Sequence, residues 1–429
     1  MRAGESFAQT QMRALLEESF RAAVAAADPL RILGAHLPKP PSGRTFVAAA
    51  GKAAASMALA VERAWPATAP LDGIAVTRYK HGLPTKRIKV VEAGHPVPDE
   101  AGEAAAREIL KKAQALGEQD LLLALLSGGG SSLLSLPAEG IAIADLKTVT
   151  SQLLRSGAAI QEMNTVRKHL SAIHGGRLAA ACRAPVLALI ISDVTGDDPT
   201  HIASGPCAPD PTTYRDALEI LRKFRISPSP AIQSRLENGA DETPKPGDPA
   251  LARVENRVVA TAHKSLEAAA AIFLERSIKP VILGDTITGE ACEVAKVMAA
   301  LAREIRRHHS PWQPPVALIS GGECTVTLRG EGGRGGRCAE FLLSLGVELE
   351  GVQSVWAIAA DTDGIDGSED NAGALLCPDS LRRAGERGVS AKTLLAKNDS
   401  YGFFSAIGDL VVTGPTRTNV NDYRAIVIA

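Results

Sequence analysis

The chain has 429 residues, with 47 Lys and Arg against 48 Asp and Glu and a formal net charge of -1. That balance excludes a general pull toward nucleic acid or an anionic membrane, so any anion binding has to be local. Aromatic residues at 3% leave little to stack bases, and six scattered cysteines with no C-x-x-C pair exclude a zinc ribbon or a disulfide scaffold and point to reduced thiols.

Apolar residues at helical spacing predict a first amphipathic helix over 9–27, closed by Pro38, Pro40 and Pro41. A strand over 45–50 runs into Gly51-Lys52 and an Ala-rich helix over 53–64. Strands are predicted at 73–77 and 88–92, the latter entering the loop Gly94-His95-Pro96-Val97-Pro98-Asp99. A helix over 102–115 leads to the most informative stretch. Residues 121–126 are Leu-Leu-Leu-Ala-Leu-Leu, with no polar face, as expected of an interior strand covered on both sides. The run stops at Ser127-Gly128-Gly129-Gly130-Ser131-Ser132. Three glycines permit backbone angles closed to other residues and leave no Cβ to keep a ligand from the amides. Such a turn holds an anion, phosphate or carboxylate, or else serves a close packing contact.

Two helices follow, over 143–157 and 161–173, the second with Asn164, Arg167, Lys168 and Ser171 on one face. A buried strand over 185–192 ends in Asp193-Val194-Thr195-Gly196-Asp197-Asp198. Prolines, charges and glycine then dominate 227–249, read as a linker, so that the chain divides into domains 1–235 and 254–429 with the linker at 236–253. Beyond it strands are predicted at 258–261, 280–283, 316–320, 325–328 and 354–360, with a terminal hairpin of 409–413 and 424–428. Strand–helix alternation on both sides of the linker predicts two α/β domains with mostly parallel sheets. No signal-type start and no apolar run of membrane length are seen, so a cytoplasmic protein is expected.

Four glycine or acid clusters stand where strands end, the place where open α/β sheets bind ligands. Lys52 is a point charge able to meet a phosphate, or an exposed first-turn lysine. Asp361, Asp363 and Asp366 put three carboxylates within six residues. They offer either Mg²⁺ ligands, with Asp361 favoured over Asp366, or a polar turn. Residues 330–335 match G-x-G-x-x-G, but a lone match is weak, and Arg334 and Arg337 beside it suit phosphoryl oxygens better than a hydride carrier. His95 and His201 stand as acid–base candidates or as structural histidines. The Walker-A pattern is absent.

Taken in order, eight motifs resemble those of the type-2 glycerate kinase family, some members of which carry a hydroxypyruvate reductase label. They are Gly51-Lys52-Ala53-Ala54, the His95 loop, the 127–132 turn, Asn164-Thr165-Val166-Arg167-Lys168-His169-Leu170-Ser171 and the Asp193 turn. Past the linker come Ser320-Gly321-Gly322-Glu323, Gly335-Gly336-Arg337 and Thr362-Asp363-Gly364-Ile365-Asp366-Gly367. The resemblance implies two α/β domains flanking an interdomain cleft, and ATP- and Mg²⁺-dependent phosphorylation of D-glycerate, most readily to 2-phosphoglycerate. It implies Lys52 and Arg337 as catalytic cations and Asp193 as the group orienting the hydroxyl or the metal. Ser127, Gly128, Gly129, Gly130, Ser131, Ser132, His95, Asn164, Arg167, Lys168, Glu323 and Arg334 are implied as substrate or nucleotide contacts, and Asp361 and Asp363 as metal ligands. A homodimer is the candidate assembly; nucleic acid and membrane are not expected partners. The chain departs from the family at His174, where Lys is usual, and at Cys338-Ala339, where Asn-Gln is usual. An NAD(P)H-dependent hydroxypyruvate reductase and a non-catalytic sensor of a phosphorylated acid are the alternatives.

Overall fold

The apolar runs become strands, and their pairing decides which loops meet. The protein is described by a computed structural model over residues 7–239, 241–328 and 333–429. Its packing divides into two units, one of residues 29–259 and one of residues 260–429 together with the N-terminal segment up to Asp28.

In the first unit, β1 (Thr45–Ala50), β2 (Leu71–Arg78), β3 (Ile88–Ala93), β4 (Leu121–Leu126), β5 (Val186–Ile191) and β6 (Val254–Ala260) form one sheet in the order β3-β2-β1-β4-β5-β6. The pairs β1–β2, β2–β3, β1–β4 and β4–β5 are all parallel. Along β1, β4 and β5 every residue is buried, because helices such as Ala54–Ala64 and Glu100–Gln114 cover the faces. The second of these starts on Asp99, whose carboxylate accepts from the Gly102 amide at 3.0 Å. Strand order reverses between β1 and β4, the switch point at which doubly wound sheets open a crevice beyond their carboxyl ends.

In the second unit, β7 (Lys279–Gly284), β9 (Val316–Ser320), β11 (Val355–Asp361), β12 (Gly373–Leu376), β13 (Leu410–Val411) and β14 (Asp422–Ile428) form a sheet in the order β13-β12-β11-β14-β9-β7, with β8 (Gly289–Glu290) and β10 (Cys324–Thr325) as a separate pair. Only β7–β9 is parallel; β11–β12, β11–β14, β12–β13 and β14–β9 are antiparallel. The two α/β units stand as read from the sequence, but a mostly parallel sheet holds for the first unit alone. The expected terminal hairpin is also corrected. β14 inserts between β11 and β9 while β13 pairs with β12, so the last strand finds its partners far back in the chain.

Two boundary expectations change for the same reason, that tertiary burial outranks composition. Residues 227–249 belong inside the first unit and are no linker. The helix Pro230–Asn238 starts with a proline at its first turn, where no amide is needed. It buries Ile232 and Leu236 against Met163, Val166 and Leu170. The first helix, Phe7–Ala26, belongs to the second unit and not to a 1–235 domain. Its Leu16, Phe20 and Ala23 share a core with Leu266, Phe273 and Tyr423.

Candidate active site

Register places the first unit's loops. Ala50 of β1 lies opposite Leu126 of β4 and Val76 of β2, so β1 and β4 stop level and Gly51 meets Ser127. Lys52 N–H donates to the Gly128 carbonyl at 2.8 Å, and Ala53 N–H to Ser127 Oγ at 3.1 Å. Ser127 N–H returns a bond to the Ala50 carbonyl at 3.1 Å. Gly51, at φ +130, has no room for a Cβ because Ser127 fills it. Ser127 thus locks the two loops together.

Gly129 sits at φ +80, and a Cβ there would come within 2.8 Å of His95 Nε2 and 3.4 Å of Lys52 Cγ. The turn, the lysine and the histidine therefore converge on one point. Around it the amides of Gly128, Gly129 and Ser131 have no acceptor among the described residues. Unpaired, partly enclosed donors of this kind are what an anion completes. The following helix, Gly130–Leu133, is a single turn, so the amides and not a helix dipole supply the attraction.

Beyond the turn, Ser204 Oγ lies 2.8 Å from Ser131 Oγ and 3.1 Å from Asn164 Oδ1, and Asn164 Nδ2 donates to the His201 carbonyl at 3.2 Å. Ala203, Ser204 and Gly205 are all left-handed, at φ 51, 57 and 58. Two consecutive non-glycine residues there are strained, and strain of this sort gathers at functional sites. Ala203 packs where Gly130 lacks a side chain. Ser204 was missed by sequence reading; the Ser-Gly-Pro turn that carries it was the available signal.

Arg167 Nη1 approaches Asn164 Oδ1 at 3.4 Å, and no described carboxylate pairs with it. Burial alone pushes its pKa down to about 10. Beside it His174 is 2% exposed, its ring near the Leu134 carbonyl but with neither nitrogen in a well-formed hydrogen bond. Burial, then the charges of Arg167 and Lys168, push its pKa down to about 3, so the ring is neutral. Lys168, the next residue after Arg167, goes elsewhere. It is fully buried, with Nζ 3.2 Å from Asp210 Oδ1, and holds the fold instead of a ligand. Asp193 stands half-buried two residues beyond the end of β5, on the edge that carries the glycine turn.

In the second unit the register builds a cation site. Asp361, last in β11, lies directly opposite Asp422, first in β14. Two carboxylates side by side demand a counter-charge, and Arg337 supplies it. Its Nε donates to Asp422 Oδ1 at 2.8 Å, its Nη2 to Asp361 Oδ2 at 2.7 Å, and its Nη1 lies 3.1 Å from Glu323 Oε1. Burial works against the charge, but Asp422, Asp361 and Glu323 outweigh it and hold the guanidinium well above its ordinary range. Asp422 carried no signal in the sequence, because only strand pairing brings it to Asp361.

The expected metal ligands are otherwise engaged. Asp361 Oδ1 accepts from the Asp363 amide at 2.9 Å, and Asp363 Oδ1 from the Ile365 amide at 2.9 Å. Among the described residues no group of three or more His, Cys, Asp or Glu side chains could hold a metal ion. A magnesium ion here would therefore draw on one or two of these carboxylates together with substrate phosphates, not on a ready-made protein cage. Asp366 is structural. It accepts from the Cys338 and Ala339 amides at 3.0 and 2.8 Å, capping the helix Arg337–Leu349, and burial raises its pKa to about 7 against those two bonds. Arg334 is exposed, its guanidinium 5.0 Å from the Tyr401 ring centroid. Of the G-x-G-x-x-G match, residues 330–332 lie outside the described residues. Its ribose acid would be Asp361, which Arg337 already occupies.

Residues 15–237 match the family described as a domain of unknown function (DUF4147), and residues 316–422 match the MOFRL family. A glycerate 2-kinase of Pyrococcus horikoshii is 41% identical over 90% of this chain and 87% of its own. The crystal structure of a glycerate kinase from Thermotoga maritima superposes with a TM-score of 0.87 at 37% identity, covering 98% of this chain and 100% of that one. The chain belongs to the type-2 glycerate kinase family. Another relative of this family member, from Agrobacterium vitis, is 53% identical over 97% of this chain and 94% of its own, and bears a provisional hydroxypyruvate reductase name. No described helix of this family member is long and apolar enough to cross a membrane.

Proposed function

We propose that the protein transfers the γ-phosphoryl group of ATP to a hydroxyl of D-glycerate, giving 2-phosphoglycerate. The carrying observation is the set of acceptor-free amides at Gly128, Gly129 and Ser131, gathered with Lys52 and His95 at the switch point of a parallel sheet. Phosphoryl transfer needs positioning and charge neutralisation more than covalent chemistry. The amides and Lys52 provide both for phosphate oxygens. Asp193 orients the acceptor hydroxyl, Asn164 and Arg167 hold the acid, and His95 and Ser131 contribute hydrogen bonds. Arg337 uses three of its five N–H donors on carboxylates, which leaves two for a phosphoryl oxygen. The names of the Pyrococcus and Thermotoga relatives support this reading. ATP would be taken with Mg²⁺, for which Asp361 and Asp363 would be the candidate side-chain ligands beside the phosphate oxygens, supplying charge neutralisation. Six free cysteines, five of them buried, suit a cytoplasmic enzyme.

The test is a single incubation with ATP, Mg²⁺ and D-glycerate, read out by enolase, which consumes 2-phosphoglycerate without a mutase. Turnover in that assay is expected, with no oxidation of NADPH by hydroxypyruvate in a parallel one. NADPH oxidation faster than ATP-dependent turnover would establish the reductase instead. Binding of a phosphorylated acid without either reaction would leave a sensor.

A further inference from the structure

Behind the glycine turn, Ser131, Ser132, Leu146, Thr150, Arg167 and His174 wall a cavity of about 10 Å³. That is room for about one water molecule or one oxygen atom. It is far too small for a phosphate, and its walls are chemically one-sided. Arg167 brings a positive charge with no described carboxylate to balance it. His174 brings two buried ring nitrogens, neither in a well-formed hydrogen bond, with the Leu134 carbonyl the nearby backbone acceptor. A buried polar atom left unpaired costs stability unless something completes it. The serine hydroxyls are already engaged, Ser132 Oγ with the Gly129 carbonyl at 3.2 Å and Ser131 Oγ with Ser204 at 2.8 Å, so they do not complete the histidine.

We propose that this cavity seats one oxygen of the substrate's carboxylate, with Arg167 supplying the charge and His174 a hydrogen bond. The inference rests on the acid-kinase reading and names the recognition element within it. One guanidinium charge matches one carboxylate charge, and the room for one oxygen, not the guanidinium fork, sets a carboxylate apart from a phosphoryl group here. A neutral imidazole donates through one nitrogen only, so His174 contributes direction without adding a second charge that would favour a dianion. A single-oxygen seat next to Ser131 also anchors the acid beside the turn proposed to hold the phosphates, leaving the hydroxyl-bearing carbons outside the seat.

The experiment compares D-glycerate with its uncharged amide, D-glyceramide, in parent protein, Arg167→Met, His174→Leu and His174→Gln. The parent is expected to favour the acid strongly. Arg167→Met should raise KM for D-glycerate about tenfold or more, change kcat less, and abolish the preference over the amide. His174→Leu should raise KM several-fold, about as much as one neutral hydrogen bond contributes, and His174→Gln should recover part of that. Melting curves of all variants establish folding, and His174→Gln retains a polar group if the leucine variant does not fold. Turnover with unchanged KM and unchanged preference in Arg167→Met and His174→Gln would show that the cavity holds only water; that overturns the carboxylate seat and leaves the kinase reading intact. If the parent shows no turnover, the kinase reading fails. The seat is then judged by D-glycerate and D-lactate in thermal shift: stabilisation lost in Arg167→Met upholds it, and no stabilisation of the parent refutes it.

Discussion

Arg167 and Arg337 are the same side chain under opposite conditions. Arg167 sits in the first unit with an asparagine oxygen 3.4 Å away and no described carboxylate in ion-pair range. Arg337 sits in the second with Asp361, Asp422 and Glu323 all within 3.1 Å. Burial lowers the pKa of the first, whereas carboxylates raise that of the second. A cation that the fold leaves unbalanced is a place where a ligand is missing. A cation that the fold saturates is a structural clasp first, and reaches a ligand only through donors it has left over.

Removing each charge should separate these roles. Arg337→Met leaves Asp361 and Asp422 facing each other without their shared guanidinium, and should cost about 3 kcal/mol or more in chemical denaturation. Arg167→Met removes a buried charge that nothing balances and should cost under about 1 kcal/mol. Equal losses would break the contrast. Lys52→Ala should lower kcat about 10²-fold with the melting temperature nearly unchanged, because a half-buried lysine at a strand end is not part of a core; turnover near the parent's would remove Lys52 from the mechanism.

The pH dependence should differ between the units as well. His174 stays neutral in the fold down to about pH 3, while the unfolded ring takes up a proton near 6.5. The stability tied to it is complete above about 6.5 and is lost as pH falls from there. Asp366 keeps its proton in the fold up to about 7, against 3.8 when unfolded, so its contribution is complete below 3.8 and is lost as pH rises toward 7. Hydrogen exchange read unit by unit between pH 4 and 6.5 should show opposite slopes of about 1 kcal/mol per pH unit. His174→Gln should flatten one and Asp366→Asn the other. Slopes that survive both substitutions would assign the effect to other groups. Smallest of all, Glu323→Gln should change stability by under about 0.5 kcal/mol, since Glu323 is the exposed partner of Arg337.

What could be read from the sequence follows from what is local. The run of leucines at 121–126 announces its strand and the glycines after it announce a turn, so the clusters at Lys52, Ser131, Asp193 and Asp361 were visible as strand-end loops. Their neighbours were not. Arg167 and Lys168 are adjacent and alike, and nothing local says that one lines a cavity while the other meets Asp210, which is 42 residues on. Asp422 gains meaning only when β14 inserts beside β11. Composition misled at 227–249 because a short surface helix that begins with proline resembles a linker until Ile232 and Leu236 are seen to be buried. Sheet direction in the second unit depends on long-range pairing, which no periodicity encodes.

The first helix carries a consequence for how the protein is made. Phe20 packs against Tyr423 with ring centroids 6.0 Å apart, Tyr423 OH donates to Ser19 Oγ at 2.8 Å, and Thr418 Oγ1 donates to the Ala27 carbonyl at 2.7 Å. Thr418 follows Ala27 by 391 residues, whereas residues 29–259 can complete their own sheet well before Thr418 is added. This helix is therefore made before residues 29–259 but placed after them, and its apolar face stays uncovered until β14 is made, a natural client surface for chaperones. Removing it would be felt far from the cut in sequence, as faster amide exchange in β14.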